Sequence, residues 1–375
     1  MKILLTGGGT GGHFYPVIAV AEEIRKISAS ERMVEPKLYF MSDQKYDPSL
    51  LLDNNIIFKK IPAGKMRRYF SFLNFLDIFK TIAGIIKALF LMFFIMPDVV
   101  FGKGGYASFP ALFAARLYGI PVVIHESDSA AGRLNRWAGK FAKRVAISFA
   151  EAAPYFPADK TAFTGNPIRK EITGVGREEA RNYLKLEQQT PVILIMGGSQ
   201  GSKIINETLI SILPKLVEKY QIIHQAGENN IEEIKKLSAS VLKNNLMAGR
   251  YHPFDYLNNE IIRMATSASD VVVSRAGSSI FEISFWGLPS ILIPIEDSNE
   301  DHQRKNAFIY SASGAALVIE EKNLTGSVLF FDIERLLNDR SLLQKMSESA
   351  RAFSKPDAAG KIAREVLNLA LTHQR

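Results

Sequence analysis

Short, unbroken apolar runs alternate with longer amphipathic stretches along most of the chain. Residues 3–6, 37–41, 56–61, 98–101, 122–125 and 145–148 are rich in Ile, Val, Leu and Phe, end at turn-forming residues, and predict strands. The stretches 16–27, 72–96 and 107–118 between them predict helices. The rhythm restarts once, with strands predicted at 192–196, 221–224, 270–273 and 290–293 and helices between them. Strands that are apolar throughout, rather than at alternate positions, are buried on both faces, so the predicted fold class is α/β with parallel sheets covered by helices. The break between the two series falls at Thr164-Gly165-Asn166-Pro167-Ile168-Arg169, turn chemistry followed by polar sequence up to Pro191. This predicts Rossmann-like domains at 1–164 and 165–375; two such domains facing each other would put a central cleft at the carboxyl ends of both sheets. The last helix, near 358–371, is assigned to the second domain. Packing back onto the first is left open, because its docking surface is not readable from sequence.

Composition sharpens this picture. The chain has 375 residues, in keeping with two domains, and no cysteine, which excludes disulfides, iron–sulfur clusters, thiolate zinc sites and cysteine nucleophiles. Lys and Arg total 46 against 38 Asp and Glu, a net charge of +8, which fits a nucleic-acid, membrane or phosphate partner without choosing among them. The apolar run after Lys2 is too short for a signal peptide, so a cytoplasmic location is expected. Residues 70–96 are the most lipid-like segment. Asp77, Lys80 and Lys87 interrupt it, and its longest charge-free part, 88–96, falls short of the ~20 residues needed to span a bilayer.

The chemistry gathers at glycine-rich turns that follow strands. Gly7-x-Gly9-x-x-Gly12 matches the dinucleotide fingerprint, whose glycines allow close backbone approach to phosphate at a helix N-terminus; a tight strand–helix turn would look the same. His13 at its exit fits a general base, a hydrogen-bond donor or a helix cap equally well. Gly197-Gly198-Ser199-Gln200-Gly201 is a second such turn and lacks the Lys-Ser/Thr ending of a P-loop. Ser274-Arg275-Ala276-Gly277-Ser278-Ser279 makes a third, and Glu282 lies one turn into the helix behind it, placed either to accept from ribose hydroxyls or simply to complement the helix dipole. Gly104-Gly105-Tyr106 and His125-Glu126-Ser127-Asp128 follow two further strands. The acidic stretch 296–301 reads as a solvated loop, but His302 and Gln303 behind it follow a strand and reach toward the same edge. No Asp-x-Asp pair is present, so metal-dependent sugar-nucleotide transfer loses its usual ligand, and no metal site or cofactor is expected.

Taken in order, these blocks resemble one family: the bacterial peptidoglycan N-acetylglucosaminyltransferases commonly called MurG. The resemblance is carried by Gly8–His13, Gly104-Gly105-Tyr106, His125-Glu126, Gly165–Arg169, Gly197–Gly201, Ser274–Gly277 with Glu282, and Asp301-His302-Gln303 with Asn306-Ala307, and it spans most of the chain. It implies a GT-B fold of two Rossmann-like domains. It also implies inverting transfer of GlcNAc from UDP-GlcNAc to the C4 hydroxyl of lipid I, the undecaprenyl-linked MurNAc-pentapeptide, giving lipid II for cell-wall synthesis, with its consequences for cell shape and division.

By the same resemblance, Thr10, Gly11 and Gly12 line the site against donor and acceptor. Arg169, Ser199, Ser278, Ser279, Glu282, His302 and Gln303 would hold UDP-GlcNAc, and Asp255 sits where uracil would be read. Tyr106 reads as an acceptor-loop residue. His13 and Glu126 are the candidate bases. Asp128 stands where the family usually has Asn, and its expected role is binding, since an amide could not take a proton. Arg67, Arg68, Lys80 and Lys87 among many Phe, Leu and Ile suit an interfacial helix meeting anionic lipid. The implied setting is the cytoplasmic face of the cell membrane, peripherally bound, with cell-wall synthesis proteins as partners and no nucleic acid. Three other readings keep parts of the pattern: another GT-B UDP-sugar transferase acting on a lipid, such as a diacylglycerol galactosyltransferase; a nicotinamide-dependent oxidoreductase resting on the first glycine turn; and a non-enzymatic nucleotide-sugar-binding or membrane-scaffolding protein.

Overall fold

The computed structural model describes residues 1–8, 10–65, 72–172, 174–198, 201–296 and 301–373. The chain forms two compact units, Met1–Arg169 with Lys355–Arg375, and Lys170–Ser354.

The first unit runs β1 (Lys2–Thr6), α1 (Gly11–Ser30), β2 (Lys37–Ser42), α2 (Pro48–Asp53), β3 (Ile56–Lys60), α3 (Phe72–Ile95), β4 (Val99–Gly102), α4 (Phe109–Leu117), β5 (Val122–Glu126), α5 (Arg133–Gly139), β6 (Arg144–Ile147) and β7 (Thr161–Phe163). The second contains α6 (Arg177–Tyr183), β8 (Val192–Met196), α7 (Lys203–Val217), β9 (Gln221–Gln225), α8 (Ile231–Val241), β10 (Tyr251–Phe254), α9 (Asn259–Ala268), β11 (Val271–Ser274), α10 (Ser279–Trp286), β12 (Ser290–Leu292), α11 (His302–Ala312), β13 (Ala316–Val318), α12 (Gly326–Asn338) and α13 (Arg340–Phe353). The final helix, α14 (Ala358–His373), belongs to the first unit.

Both sheets are parallel. Their strand orders are β3-β2-β1-β4-β5-β6-β7 and β10-β9-β8-β11-β12-β13. In each, the chain winds outward from the first strand, then returns to its other side. The turns leaving β1 and β4, and those leaving β8 and β11, therefore diverge at a switch point where ligands bind in such sheets. The apolar strands are buried because helices cover both faces: Ile3 and Leu5 pack under α1, and Leu4 packs with the α3 and α4 side. Residues of α14 complete the α1 side, where Ile362, Val366 and Leu367 join Val17, Ile24 and Phe40 in one core, and Arg364 pairs with Glu31 at 2.7 Å.

Several boundaries differ from the sequence expectation. Helix α1 starts at Gly11, five residues before the predicted 16, because the carbonyl of Thr10 already accepts from the amides of His13 and Phe14. Pro16, which reads as a start signal, is buried inside the helix. The predicted helix at 107–118 opens as a 3₁₀ turn, Tyr106–Ser108, and becomes α-helical only over Phe109–Leu117. Strands β7, β10 and β13, absent from the sequence expectation, are three or four residues long, and each pairs with a single neighbour at a sheet edge.

Helix α3 is long and apolar enough to cross a membrane by length and composition over Phe75–Ile95, and most of that stretch is not buried. One stripe, Ala88, Met92 and Ile95, belongs to the core. Gly84 lets the Pro62 carbonyl approach so closely that a Cβ there would sit 1.9 Å from its oxygen. The other face leaves Phe79, Ile86, Phe90, Phe93 and Phe94 more than half exposed.

Candidate active site

In the first unit the predicted residues converge on the carboxyl edge at the β1/β4 switch. The two glycine turns touch. Gly105, at φ +78°, leaves no room for a side chain, since a Cβ there would sit 2.4 Å from the Gly8 carbonyl oxygen and 3.4 Å from the His13 ring. His13 occupies the first turn of α1, half-buried, with Nδ1 3.0 Å from the Thr10 hydroxyl. This fixes the imidazole beside Gly11 and Gly12 at the N-terminus of a 20-residue helix. Tyr106 reaches across to β2 and donates to Asp43 Oδ2 at 2.7 Å. Burial, then that hydrogen bond, pushes its phenol pKa up, so it remains a neutral donor.

The turn after β5 is more deeply set. His125 is fully buried, with Nε2 3.0 Å from the Gly165 carbonyl and 3.1 Å from the Ser148 hydroxyl. Burial, reinforced by the neighbouring Lys103 charge, holds its pKa well below the usual histidine value, so it is neutral. The Glu126 carboxylate accepts from the amide of Asp128 at 3.0 Å, the amide of Gly132 at 2.9 Å and Asn135 Nδ2 at 3.0 Å. These bonds shape the 127–132 turn and leave Asp128 half-buried at its tip. Burial, then the charge of Asp128, raises the Glu126 pKa. Arg169 also ends in the first unit, 5% exposed, with its guanidinium 3.6 Å above the Tyr15 ring of α1. A substrate-binding role for it rests on the sequence resemblance alone.

In the second unit the glycine turn after β8 is shaped by its neighbours. Gly201, at φ +75°, has the Ala226 carbonyl oxygen 1.9 Å from where a Cβ would lie, so only glycine fits. Gln225 ties this turn to the one after β10, donating to the Gly198 carbonyl at 2.9 Å and accepting from the Leu257 amide at 3.3 Å, which puts Asp255 on the same edge. Beneath it, His224 links Tyr251 (2.7 Å) to Asn206 (3.1 Å), and burial alone lowers its pKa to about 3. Arg275 bonds the Ser202 hydroxyl at 2.7 Å, the Ile293 carbonyl at 3.1 Å and Glu321 at 3.0 Å, closing one wall of a cavity of about 430 Å³ also lined by Gly197, Gly201 and Ile295.

Ser278 stands at the N-cap position of α10, Ser279 donates to the Arg275 carbonyl at 3.1 Å, and Glu282 is half-buried in the helix's first turn. His302 opens α11, and Gln303 accepts from the Ile295 amide at 3.2 Å. Asp255, Ser278, Ser279, Glu282, His302 and Gln303 thus share the carboxyl edge of one sheet. Ser199, Arg67 and Arg68 lie outside the described residues.

Three residues have structural roles that the sequence reading did not assign. Lys103, directly after β4, is 1% exposed; Asp43 fixes Tyr106; Arg275 joins three segments remote in sequence. The one local signal was a lysine between an apolar strand and Gly104, where a solvated residue would be the ordinary assumption.

Two doubly wound units in one chain, each with glycine turns at its switch point, have the architecture of a GT-B glycosyltransferase. The glycosyltransferase family 28 N-terminal domain matches residues 3–147, and the family 28 C-terminal domain matches residues 192–362. The chain is 34% identical to a UDP-N-acetylglucosamine–N-acetylmuramyl-(pentapeptide) pyrophosphoryl-undecaprenol N-acetylglucosamine transferase of Treponema denticola, over 97% of this chain and 94% of the relative. It is 37% identical to the enzyme of the same name from Halothermothrix orenii, over 95% of each. The crystal structure of Acinetobacter baumannii MurG superposes with a TM-score of 0.72 at 27% identity, covering 98% of this chain and 99% of that one. The chain belongs to the MurG family of glycosyltransferases.

Proposed function

We propose that this enzyme transfers GlcNAc, with inversion, from UDP-GlcNAc to the C4 hydroxyl of lipid I, forming lipid II. The observation that carries this is its similarity, across nearly the whole chain, to transferases named for that reaction. The donor belongs to the second unit, where helix N-termini and glycine-turn amides meet the diphosphate and stabilise the UDP anion as the anomeric bond breaks. Glu282 takes the ribose hydroxyls, Asp255 lies toward uracil, and Ser199, Ser278, Ser279, His302 and Gln303 surround the diphosphate and sugar.

The acceptor belongs to the first unit, beside Thr10, Gly11, Gly12 and Tyr106. His13 is the better base. Both oxygens of Glu126 already accept hydrogen bonds that shape its own turn, whereas the His13 ring is half-buried at the helix N-terminus. Asp128 holds the acceptor sugar.

Purified enzyme given UDP-GlcNAc and a short-chain lipid I analogue in EDTA should release UDP and form the disaccharide lipid. Galactose transfer to diacylglycerol with lipid I untouched would favour the other lipid-acceptor transferase. Tight NAD binding without UDP-sugar binding would favour the oxidoreductase.

The donor assignment has its own test. Glu282→Ala should weaken UDP-GlcNAc binding by about 1.5–3 kcal/mol, the range for a hydrogen bond to a charged group. Calorimetric titration of the folded variant reads this directly, and unchanged affinity would remove Glu282 from the ribose.

The enzyme is a peripheral protein of the cytoplasmic membrane face, within reach of other cell-wall synthesis proteins. The support is the bare aromatic face of α3 with Lys80 and Lys87 exposed beside it, which suits an anionic lipid surface.

A further inference from the structure

We propose that Asp43 is a positioning residue for the acceptor: it takes the Tyr106 phenol hydrogen, fixes the ring beside the two glycine turns of the first unit, and leaves the phenol oxygen to receive an N–H or O–H from the acceptor. The proposal rests on the acceptor-side reading above.

Asp43 is the first residue after β2, and the neighbouring strands hold the backbone leading to it from both sides. The Thr6 hydroxyl of β1 donates to the Met41 carbonyl at 2.8 Å, and the Ile61 amide, just past β3, donates to the Ser42 carbonyl at 3.0 Å. The carboxylate divides its two oxygens. Oδ1 accepts from the Ser42 hydroxyl at 3.3 Å, and Oδ2 accepts from the Tyr106 phenol at 2.7 Å, across 63 residues of sequence. A phenol bonded to a carboxylate at that distance makes a charge-assisted bond, the stronger kind.

The surroundings of this bond tie it to the site. A Cβ on Gly8 would sit 2.5 Å from Ser42 Oγ, 2.8 Å from the Ala107 Cβ and 3.5 Å from Asp43 Oδ1, so the first glycine turn lies against the Asp43–Tyr106 pair. Gly8 in turn meets Gly105, the residue before Tyr106, whose own Cβ position is 3.4 Å from the His13 ring. Asp43, Tyr106 and the proposed base are thus joined through two glycines that admit no side chain. Lys65 adds a second restraint, its Nζ 5.5 Å from the centroid of the Tyr106 ring.

A phenol has one hydrogen to give and an oxygen that also accepts. With its hydrogen held by Asp43, Tyr106 has none left for a substrate, and its oxygen can only receive one. Sugar hydroxyls and amide N–H groups of the acceptor suit such an oxygen; carbonyl and phosphate oxygens do not. Asp43 therefore acts through Tyr106, setting both where the ring stands and which way its hydrogen bond runs.

Three variants separate these contributions. Asp43→Ala removes the partner of the phenol hydrogen, Asp43→Asn keeps an oxygen for it, and Tyr106→Phe removes the phenol. In the apo enzyme labelled with ¹³Cζ-tyrosine, the Tyr106 signal is identified by its loss in Tyr106→Phe. It should move in Asp43→Ala and stay near its wild-type position in Asp43→Asn. This readout needs no turnover, so it stands even if the acceptor is not lipid I.

With UDP-GlcNAc and a lipid I analogue, Asp43→Ala and Tyr106→Phe should each raise the acceptor KM by about tenfold or more, while the donor KM stays within about twofold. Asp43→Asn should recover most of that loss. The double variant should be no more than about twofold worse than the weaker single one, because both changes remove the same contact. An unmoved Tyr106 signal in Asp43→Ala would overturn the proposal. So would an acceptor KM at or below the wild-type value in that variant, since the phenol would then serve the acceptor as well with its hydrogen released. Additive losses in the double variant, or equal loss of donor and acceptor affinity, would also overturn it. If Asp43→Ala does not fold, Asp43→Ser, too short to reach the phenol, takes its place with the same outcomes.

Discussion

His13→Ala is expected to lower kcat by about 10²–10⁴, the usual cost of losing a general base, while UDP-GlcNAc binding stays near wild type. The geometry sets this expectation. His13 is the half-buried imidazole in the first turn of α1, oriented by its 3.0 Å contact with Thr10 and backed by Gly105. Glu126, the rival, is 3% exposed and committed to three hydrogen bonds, two from amides of its own turn and one from Asn135 of α5. Asp128→Asn is the control. An amide still accepts a hydrogen bond from a sugar hydroxyl but takes no proton, so turnover should stay within about tenfold of wild type. Steady-state kinetics at saturating donor and lipid I analogue read both. A thousandfold fall in Asp128→Asn with a small effect in His13→Ala would exchange their roles.

The second large effect concerns the membrane. Phe90 and Phe94 are 63% and 66% exposed on α3, their ring centroids 4.7 Å apart, away from the buried Ala88–Met92–Ile95 stripe. Burying one such ring in lipid contributes roughly 1.5–3 kcal/mol, so Phe90→Ser with Phe94→Ser should weaken vesicle binding by about a hundredfold or more. The fold should survive, because neither ring supports the core. Binding of the native chain to anionic vesicles should also fall as salt rises, since exposed lysine charges are screened within about 8–10 Å at physiological ionic strength. Sedimentation across a salt series, with anionic and neutral vesicles compared, checks both parts. Binding that ignores salt and lipid charge would remove the electrostatic contribution, and a double variant that binds normally would move the docking face away from α3.

The architecture was legible in sequence because parallel strands buried on both faces leave unbroken apolar runs, and because turns at a switch point need glycine where backbone must approach backbone. Gly105 against the Gly8 carbonyl and Gly201 against the Ala226 carbonyl are such places, and both lie in blocks that also carry the family resemblance. Helix starts were less legible: Pro16 imitates a boundary that the Thr10 carbonyl in fact sets at Gly11.

What sequence could not supply is whatever depends on residues brought together from far along the chain. The docking of α14 on α1 is decided by an apolar stripe matching a groove more than three hundred residues away, as the Arg364–Glu31 pair shows. Tyr106 is anchored by Asp43, and Arg275 joins Ser202 to Glu321. The state of charge belongs to the same class. Lys103, His125 and Glu126 are ordinary ionisable residues as letters; only the tertiary structure buries all three within reach of one another, and burial with mutual Coulomb interaction, both non-local, sets which of them carries a proton.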